Sequence, residues 1–277
     1  MVNIFASGKA MPLHTLVKTP GGWTRLGDLK IGDQVIGPKG NVANITNCFP
    51  QGVTECFRFT LEDGRTADSH PLHLSQVHEA EPSAQGYVTT TQDIVGHFDQ
   101  FCYYLPVVGE VGGTSIATVG LDRDLHQLAA SLVSSGIVID NPVMELSYGD
   151  RYALAERMIE LSGVHISERG VSVLMENQTG AANFKELMWS LGGVATLDPY
   201  EALYRVEFKH RDIVGLVDGL LGDSLGSIID LSLYEDVKLK IVSFEQLKPM
   251  ETACISIDGE DSLYIIDDWV VTHNSFS

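Results

Sequence analysis

The sequence predicts an all-β domain interrupted by an α+β insert. Three observations carry this. From Thr15 to about Leu105, short β-prone runs alternate with turn residues at close spacing. After Val111-Gly112-Gly113-Thr114, apolar residues recur at helical spacing instead. From about Lys238 the strand pattern returns.

In chain order, Thr15–Thr19 is a short strand ended by Pro20-Gly21-Gly22, a turn signal, and Trp23–Leu26 follows it. Gly27–Asp33 is a turn-rich link into Gln34–Gly37, and Pro38–Asn41 makes another turn. Val53 to Leu61 alternates as one strand and runs into Glu62-Asp63-Gly64-Arg65, whose Asp-Gly fits a hairpin. Helices are expected over Leu125–Ser135 (Leu125, Leu128, Ala129 and Leu132 on one face), over Asp150–Ser162 (Leu154, Met158, Leu161) and over Asn183–Leu191. Short strands are expected between them at Val143–Leu146 and Tyr204–Phe208. Lys238–Val242, Ala253–Ile257 and Ser262–Ile266 complete the β domain.

A chain of 277 residues has room for two cores. Its formal net charge of -19 argues against general nucleic-acid binding, which needs clustered Lys and Arg, and against adsorption to an anionic membrane. No apolar run is long enough to span a bilayer, and the first nine residues lack a signal peptide's basic start and apolar core. Cys48, Cys56, Cys102 and Cys254 form no CxxC pair, so neither a zinc site nor a redox motif is expected; a reducing, cytoplasmic setting follows. No cofactor or metal is expected.

The residues that carry chemistry are His273-Asn274-Ser275. An Asn side-chain amide can attack its own backbone carbonyl, forming a succinimide and breaking the bond to Ser275. A neighbouring imidazole can protonate the leaving amine, and the Ser275 hydroxyl can accept an acyl group.

Together with other blocks, this ending resembles the intein family, self-excising protein-splicing elements with a Hint-type β fold. Ala10–Val35, AMPLHTLVKTPGGWTRLGDLKIGDQV, is similar to the family's N-terminal block. Arg65–Leu74, RTADSHPLHL, resembles its second block, with His70 as the histidine that assists the first acyl shift. Ala253–Ser275, ACISIDGEDSLYIIDDWVVTHNS, resembles the two C-terminal blocks run together. The resemblance implies autocatalytic, single-turnover splicing, with Ala10, His70, Cys254, Thr272, His273, Asn274 and Ser275 at or near the site. Its substrates are the flanking extein segments in cis; no small molecule, DNA or membrane partner is implied, and the chain is expected to be monomeric. His14 and His73 read as structural or surface residues.

Two departures from the family pattern matter. Ala10 stands where the family has Cys or Ser, so the chain reads as a precursor stalled by a Cys-to-Ala replacement. The family's Thr-x-x-His becomes Thr66-x-x-x-His70, with Ala67 at the Thr position. Alternatively, Ala10 is natural: one intein class lacks the first nucleophile and uses a Cys at the position of Cys254 together with a Thr at that of Thr272. That class has Trp two residues after the block histidine, where this chain has Leu72.

Removing Ala10–Asn274 joins the ends as ASGKSFS, whose Gly-Lys-Ser is the end of a phosphate-binding P-loop. The implied host is an ATPase such as a terminase or helicase. The insert resembles a LAGLIDADG homing endonuclease, through Leu125–Gly136 and Phe184–Gly193 followed by Tyr204–Phe208. Ser135 falls where the family needs a metal-holding acid, and residues 111–235 hold 18 Asp+Glu against 8 Lys+Arg, so a degenerate, inactive endonuclease is expected.

The expected organisation is an N-extein remnant over 1–9, splicing domain over 10–110 and 237–274, insert over 111–236, and a C-extein remnant over 275–277. A cleavage-only Hint relative of the hedgehog or toxin type is the contrasting reading; such a domain needs no nucleophile after Asn274.

Overall fold

A computed structural model describes residues 9–79, 85–111, 121–134, 138, 141–167 and 170–273. Asn274 and Ser275 lie outside them, as do Ser135 and the flanking segments 1–8 and 276–277. The chain forms two compact units, one of residues 1–108 with 238–277 and one of residues 109–237.

The first unit opens with β1 (Met11–Pro12), β2 (Leu16–Thr19), β3 (Gly22–Arg25), β4 (Gln34–Ile36), β5 (Val42–Thr54), β6 (Phe57–Leu61), β7 (Thr66–Ser69), β8 (Leu74–Glu79), β9 (Tyr87–Thr90), α1 (Thr91–Gly96) and β10 (Tyr103–Pro106). The turn signals act as their chemistry requires. Gly22 (φ 106°) closes the β2–β3 hairpin, where the Thr19 hydroxyl donates to the Gly22 carbonyl at 2.8 Å. Gly64 (φ 88°) closes β6–β7.

The stretch Val53–Leu61 is not one strand. Its beginning ends β5, and β6 starts only at Phe57. The break has a cause: β5 and β6 pair with different strands of the returning chain, so the backbone changes sheets over Glu55–Cys56.

The second unit holds α2 (Leu121–Ser134), α3 (Asn141–Met144), α4 (Tyr148–Ser162), β11 (Val164–Ser167), β12 (Gly170–Met175), α5 (Gln178–Ser190), β13 (Val194–Tyr200), β14 (Leu203–Lys209), α6 (Ile213–Leu221) and α7 (Ser232–Glu235). Its sheet is antiparallel in the order β11-β12-β14-β13. The strand expected at Val143–Leu146 is absent; a helical turn covers Asn141–Met144. An apolar run this short has no decisive period, and the Asn-Pro start favours a helix N-terminus. α4 buries Arg151, Leu154, Ala155, Met158 and Ile159, one face of a 3.6-residue repeat. Its Ser147 cap accepts from Asp150 N at 3.1 Å, and it stops at Gly163 with φ 75°. Such a cap contributes about 1 kcal/mol.

The chain returns to the first unit as β15 (Lys238–Gln246), β16 (Met250–Ile257), β17 (Leu263–Ile266) and β18 (Val270–His273). Three antiparallel sheets result, ordered β1-β16-β5-β4, β7-β6-β15-β10-β8-β9 and β18-β17-β2-β3. Val17, Val35, Ile45, Val77, Ile94, Ile265 and Trp269 are buried at the core. No helix among the described residues is long and apolar enough to cross a membrane.

Candidate functional site

The first and last described segments of the first unit meet at one histidine, His73. Met11 on β1 pairs with Ala253 on β16, which holds the preceding Ala10 in the interior at 0% exposure. The Ala10 carbonyl accepts from His70 N at 2.9 Å. After His70 the chain turns: His73 N donates to His70 O at 2.8 Å, and Leu72 N donates to His70 Nδ1 at 3.1 Å. The start of α1 braces this turn, with Gln92 N on Pro71 O at 2.7 Å and Thr91 N on His73 O at 2.9 Å. The buried Ser69 and Thr91 hydroxyls are paired at 2.8 Å.

The turn aims the His73 ring at the bond before Ala10. His73 Nδ1 is 3.0 Å from the Lys9 carbonyl oxygen, and Nε2 is 2.7 Å from Thr272 Oγ1. A carbonyl oxygen only accepts, so Nδ1 carries the hydrogen. Burial holds the His73 pKa down from 6.5 to about 4; the Lys9 carbonyl opposes this, and the nearby His273, His70 and Lys9 charges add to it. The ring is therefore neutral at pH 7. Its Nε2 keeps a lone pair and accepts from the Thr272 hydroxyl.

Thr272 and His273, 5% exposed each, end β18, opposite Tyr264 and Leu263. Cys254 follows Ala253 on β16 as Ala10 precedes Met11 on β1, so the antiparallel register continued by one step would set Cys254 beside Ala10. Its thiol is 4% exposed and donates to Ile255 O at 3.5 Å; it lies close enough to Tyr264 to reinforce the burial that pushes that phenol up. A small cavity beside the site is lined by Met11, Ser69, His73, Ser75 and Thr272 among others.

Of the residues singled out by sequence, the structure brings Thr272 and His273 to the His73 ring, whose other nitrogen meets the carbonyl just before Ala10, while Cys254 lies beside Tyr264. His70 touches Ala10 through its backbone N–H, while its ring nitrogen Nδ1 serves the local turn. The imidazole on the Lys9 carbonyl belongs to His73, which sequence reading set aside as structural. One signal could have found it: Thr-x-x-His spacing is kept if His70 takes the Thr place and His73 the His place, which also puts Ser75 two residues after the block histidine. His14 is a surface side chain, 63% exposed, at 3.8 Å from Asp68. Among the described residues no group of three or more His, Cys, Asp or Glu could hold a metal ion.

The arrangement can polarise one peptide carbonyl. A neutral N–H donor on the Lys9 oxygen stabilises negative charge developing there during attack on the carbonyl carbon. The same ring can pass that proton to a departing amide nitrogen.

Neither a protein-family model nor a curated protein sequence matches the chain. Among solved structures it is similar to the gp41-1 intein at 14% identity, covering 97% of this chain and 100% of that one with a TM-score of 0.39. It is similar to the MchDnaB-1 intein at 13% identity, over 95% and 99% of the two chains, TM-score 0.39. A variant of the Ssp DnaB mini-intein has 10% identity over 99% and 98%, TM-score 0.41.

Proposed function

We propose that this chain is an intein-type protein-splicing element whose upstream nucleophile is missing. The observation that carries the reading is the His73 ring, which bonds the Lys9 carbonyl on one side and Thr272, two residues before Asn274, on the other. A ring in that place serves a reaction joining the two ends of the element.

The downstream step needs only residues of the chain as written. The Asn274 side-chain nitrogen attacks the Asn274 carbonyl carbon. The bond to Ser275 breaks, and His273 supplies a proton to the departing amine. The upstream step needs a nucleophile that Ala10 lacks. With Cys at that position, its thiol would attack the Lys9 carbonyl carbon, forming a thioester as the Lys9–Ala10 amide breaks. His73 Nδ1–H would first stabilise the oxyanion and then protonate the freed nitrogen. Transfer of the acyl group to the Ser275 hydroxyl would release the thiol, cyclisation of Asn274 would free the Ser275 amine, and that amine would take the acyl group from the ester oxygen to leave a peptide bond.

Mass spectrometry of the Ala10→Cys chain tests this. The expected product joins Lys9 directly to Ser275, and its absence together with absence of cleavage at either junction would sink the reading. The joined ends, ASGKSFS, fit a nucleotide-binding loop of an ATPase host. The second unit fits a degenerate LAGLIDADG-type insert.

One observation favours a second form of the same activity. The pairing of Met11 with Ala253, continued by one step, would set Cys254 beside Ala10 and makes its thiol a candidate attacker of the Lys9 carbonyl with Ala10 native. The unmodified chain would then release residues 1–9 or splice, and Cys254→Ala would abolish it; an inert unmodified chain rules this form out.

A further inference from the structure

β18 carries Thr272 and His273, and it lies at the edge of its sheet, with β17 as its neighbour in the strand order. An edge strand on a two-strand hairpin is free to slip unless its turn is fixed. A slip of one residue would reverse which side each β18 residue faces and take Thr272 away from His73. The turn before β18 is Asp267-Asp268-Trp269, with Asp268 at φ 48° and Trp269 at φ 66°. Two consecutive non-glycine residues in the left-handed region need outside support.

That support comes from three sides. Asp267 N donates to Leu16 O at 2.9 Å, and Leu16 N donates to Asp267 Oδ1 at 2.7 Å. The Lys18 ammonium, on a side chain 3% exposed, lies 5.1 Å from the Trp269 ring centre and 5.3 Å from that of Trp23. Arg65, 1% exposed, reaches the turn's backbone: Nη1 donates to the carbonyls of Asp268 and Trp269, each at 3.4 Å. Its fork is held in place by Asp63, with Nε at 3.0 Å and Nη2 at 2.8 Å from Oδ2. Arg65 also immediately precedes β7, the strand that leads to His70 and His73. One guanidinium thus ties the root of the His73 segment to the root of β18.

We propose that Arg65 is a positioning residue for the splice site: it fixes the register of β18 and so places Thr272 against His73 and His273 beside the downstream junction. The inference extends the splicing reading, and its test separates the two. Two variants are used: Arg65→Lys, which keeps the charge but loses the planar fork, and Asp63→Asn with Arg65→Gln, which leaves no buried charge unpaired. Nitrogen-15 spectra of the imidazoles read the hydrogen bond at His73 Nε2, and mass spectrometry reads cleavage between Asn274 and Ser275 in the Ala10 chain.

In folded variants the nitrogen-15 resonance of His73 Nε2 should move toward that of an unbonded ring nitrogen as the Thr272 bond is lost, and downstream cleavage should slow by about tenfold or more. An unchanged Nε2 resonance with unchanged cleavage overturns the proposal, as does a lowered melting temperature with no change in either. A shift of the Nε2 resonance in variants of a parent that shows no cleavage upholds the role of Arg65 and counts against splicing.

Discussion

His73 Nε2 and Thr272 Oγ1 stand 2.7 Å apart across 199 positions of sequence. The contact couples the strand beside the downstream junction to the ring that serves the upstream one: the Lys9 carbonyl fixes the hydrogen on Nδ1, and the Thr272 hydroxyl holds the opposite side of the ring. Thr272→Val removes that hold and lets the ring tilt away from the Lys9 oxygen. In the Ala10→Cys chain, thioester formation, read as hydroxylamine cleavage after Lys9, should slow by about tenfold to hundredfold. Thr272→Ser should stay close to the parent, and equal rates in all three would show that the hydroxyl sets nothing.

The two histidines of the His-Pro-Leu-His turn should separate cleanly. His73→Gln is expected to lower upstream cleavage of the Ala10→Cys chain by about hundredfold or more. His70→Gln leaves the bond from His70 N to Ala10 O in place and should cost only a few-fold. The reverse ranking would return the catalytic role to His70.

Stability toward acid reflects two groups of opposite sign, the buried His73 and the half-buried Asp267. Folded His73 titrates near 4 and an ordinary histidine near 6.5, so below about 6.5 the unfolded chain binds more protons. Its contribution, roughly 3 kcal/mol, is complete above that pH and lost as pH falls toward 4. Burial raises Asp267 from 3.8 to about 6, with the Leu16 bond opposing and the Asp268 and Asp68 charges adding; its contribution is complete below 3.8 and lost as pH rises through 6. Between these limits the two cancel in part. Asp267→Asn should steepen the loss of stability on acidification, and His73→Gln should flatten it. Urea midpoints at about pH 4.5, 5.5 and 7 measure both slopes.

Gly180 on α5 sits against the end of α2. An added Cβ would lie 2.6 Å from Val133 O and 2.9 Å from Leu132 O, both backbone atoms that cannot swing aside. Gly180→Ala should destabilise the second unit by about 1–3 kcal/mol despite alanine's better helix propensity. Hydrogen exchange of peptides from α2 and α5 should accelerate; unchanged protection would mean the helices part without cost.

DNA cleavage by the second unit is not expected. Acidic residues outnumber basic ones 18 to 8 over 111–235, which opposes binding to a polyphosphate. Supercoiled plasmid incubated with the chain and magnesium should stay intact at low and high salt, and nicking would overturn the degenerate reading.

Much of the fold was legible because it rests on local chemistry. Pro20-Gly21-Gly22 and Asp63-Gly64 marked their hairpins, and the apolar spacing of Leu154 and Met158 marked α4. Val53–Leu61 misled because nothing local records a change of partner strand; the break at Glu55–Cys56 exists only once β15 and β16 are in place. Val143–Leu146 misled because four residues hold no period. In the site, Ala10, Thr272 and His273 could be picked out by block position. His73 could not be separated from His70 by residue type, since three positions apart on a turn only the fold decides which ring faces the junction. Arg65 looked like one more turn residue, because its targets are backbone carbonyls more than two hundred positions away.

The place where the second unit leaves and rejoins the chain has an evolutionary corollary. β10 and β15 are antiparallel neighbours, with Pro106 directly opposite Lys238. Whatever lies between them is, to the β framework, the tip of a hairpin. A tip costs only slowly more in closure entropy as it lengthens, so the lineage could acquire a whole domain here, let it decay, or shed it by a single deletion. Selection on the surrounding strands would scarcely register any of these events.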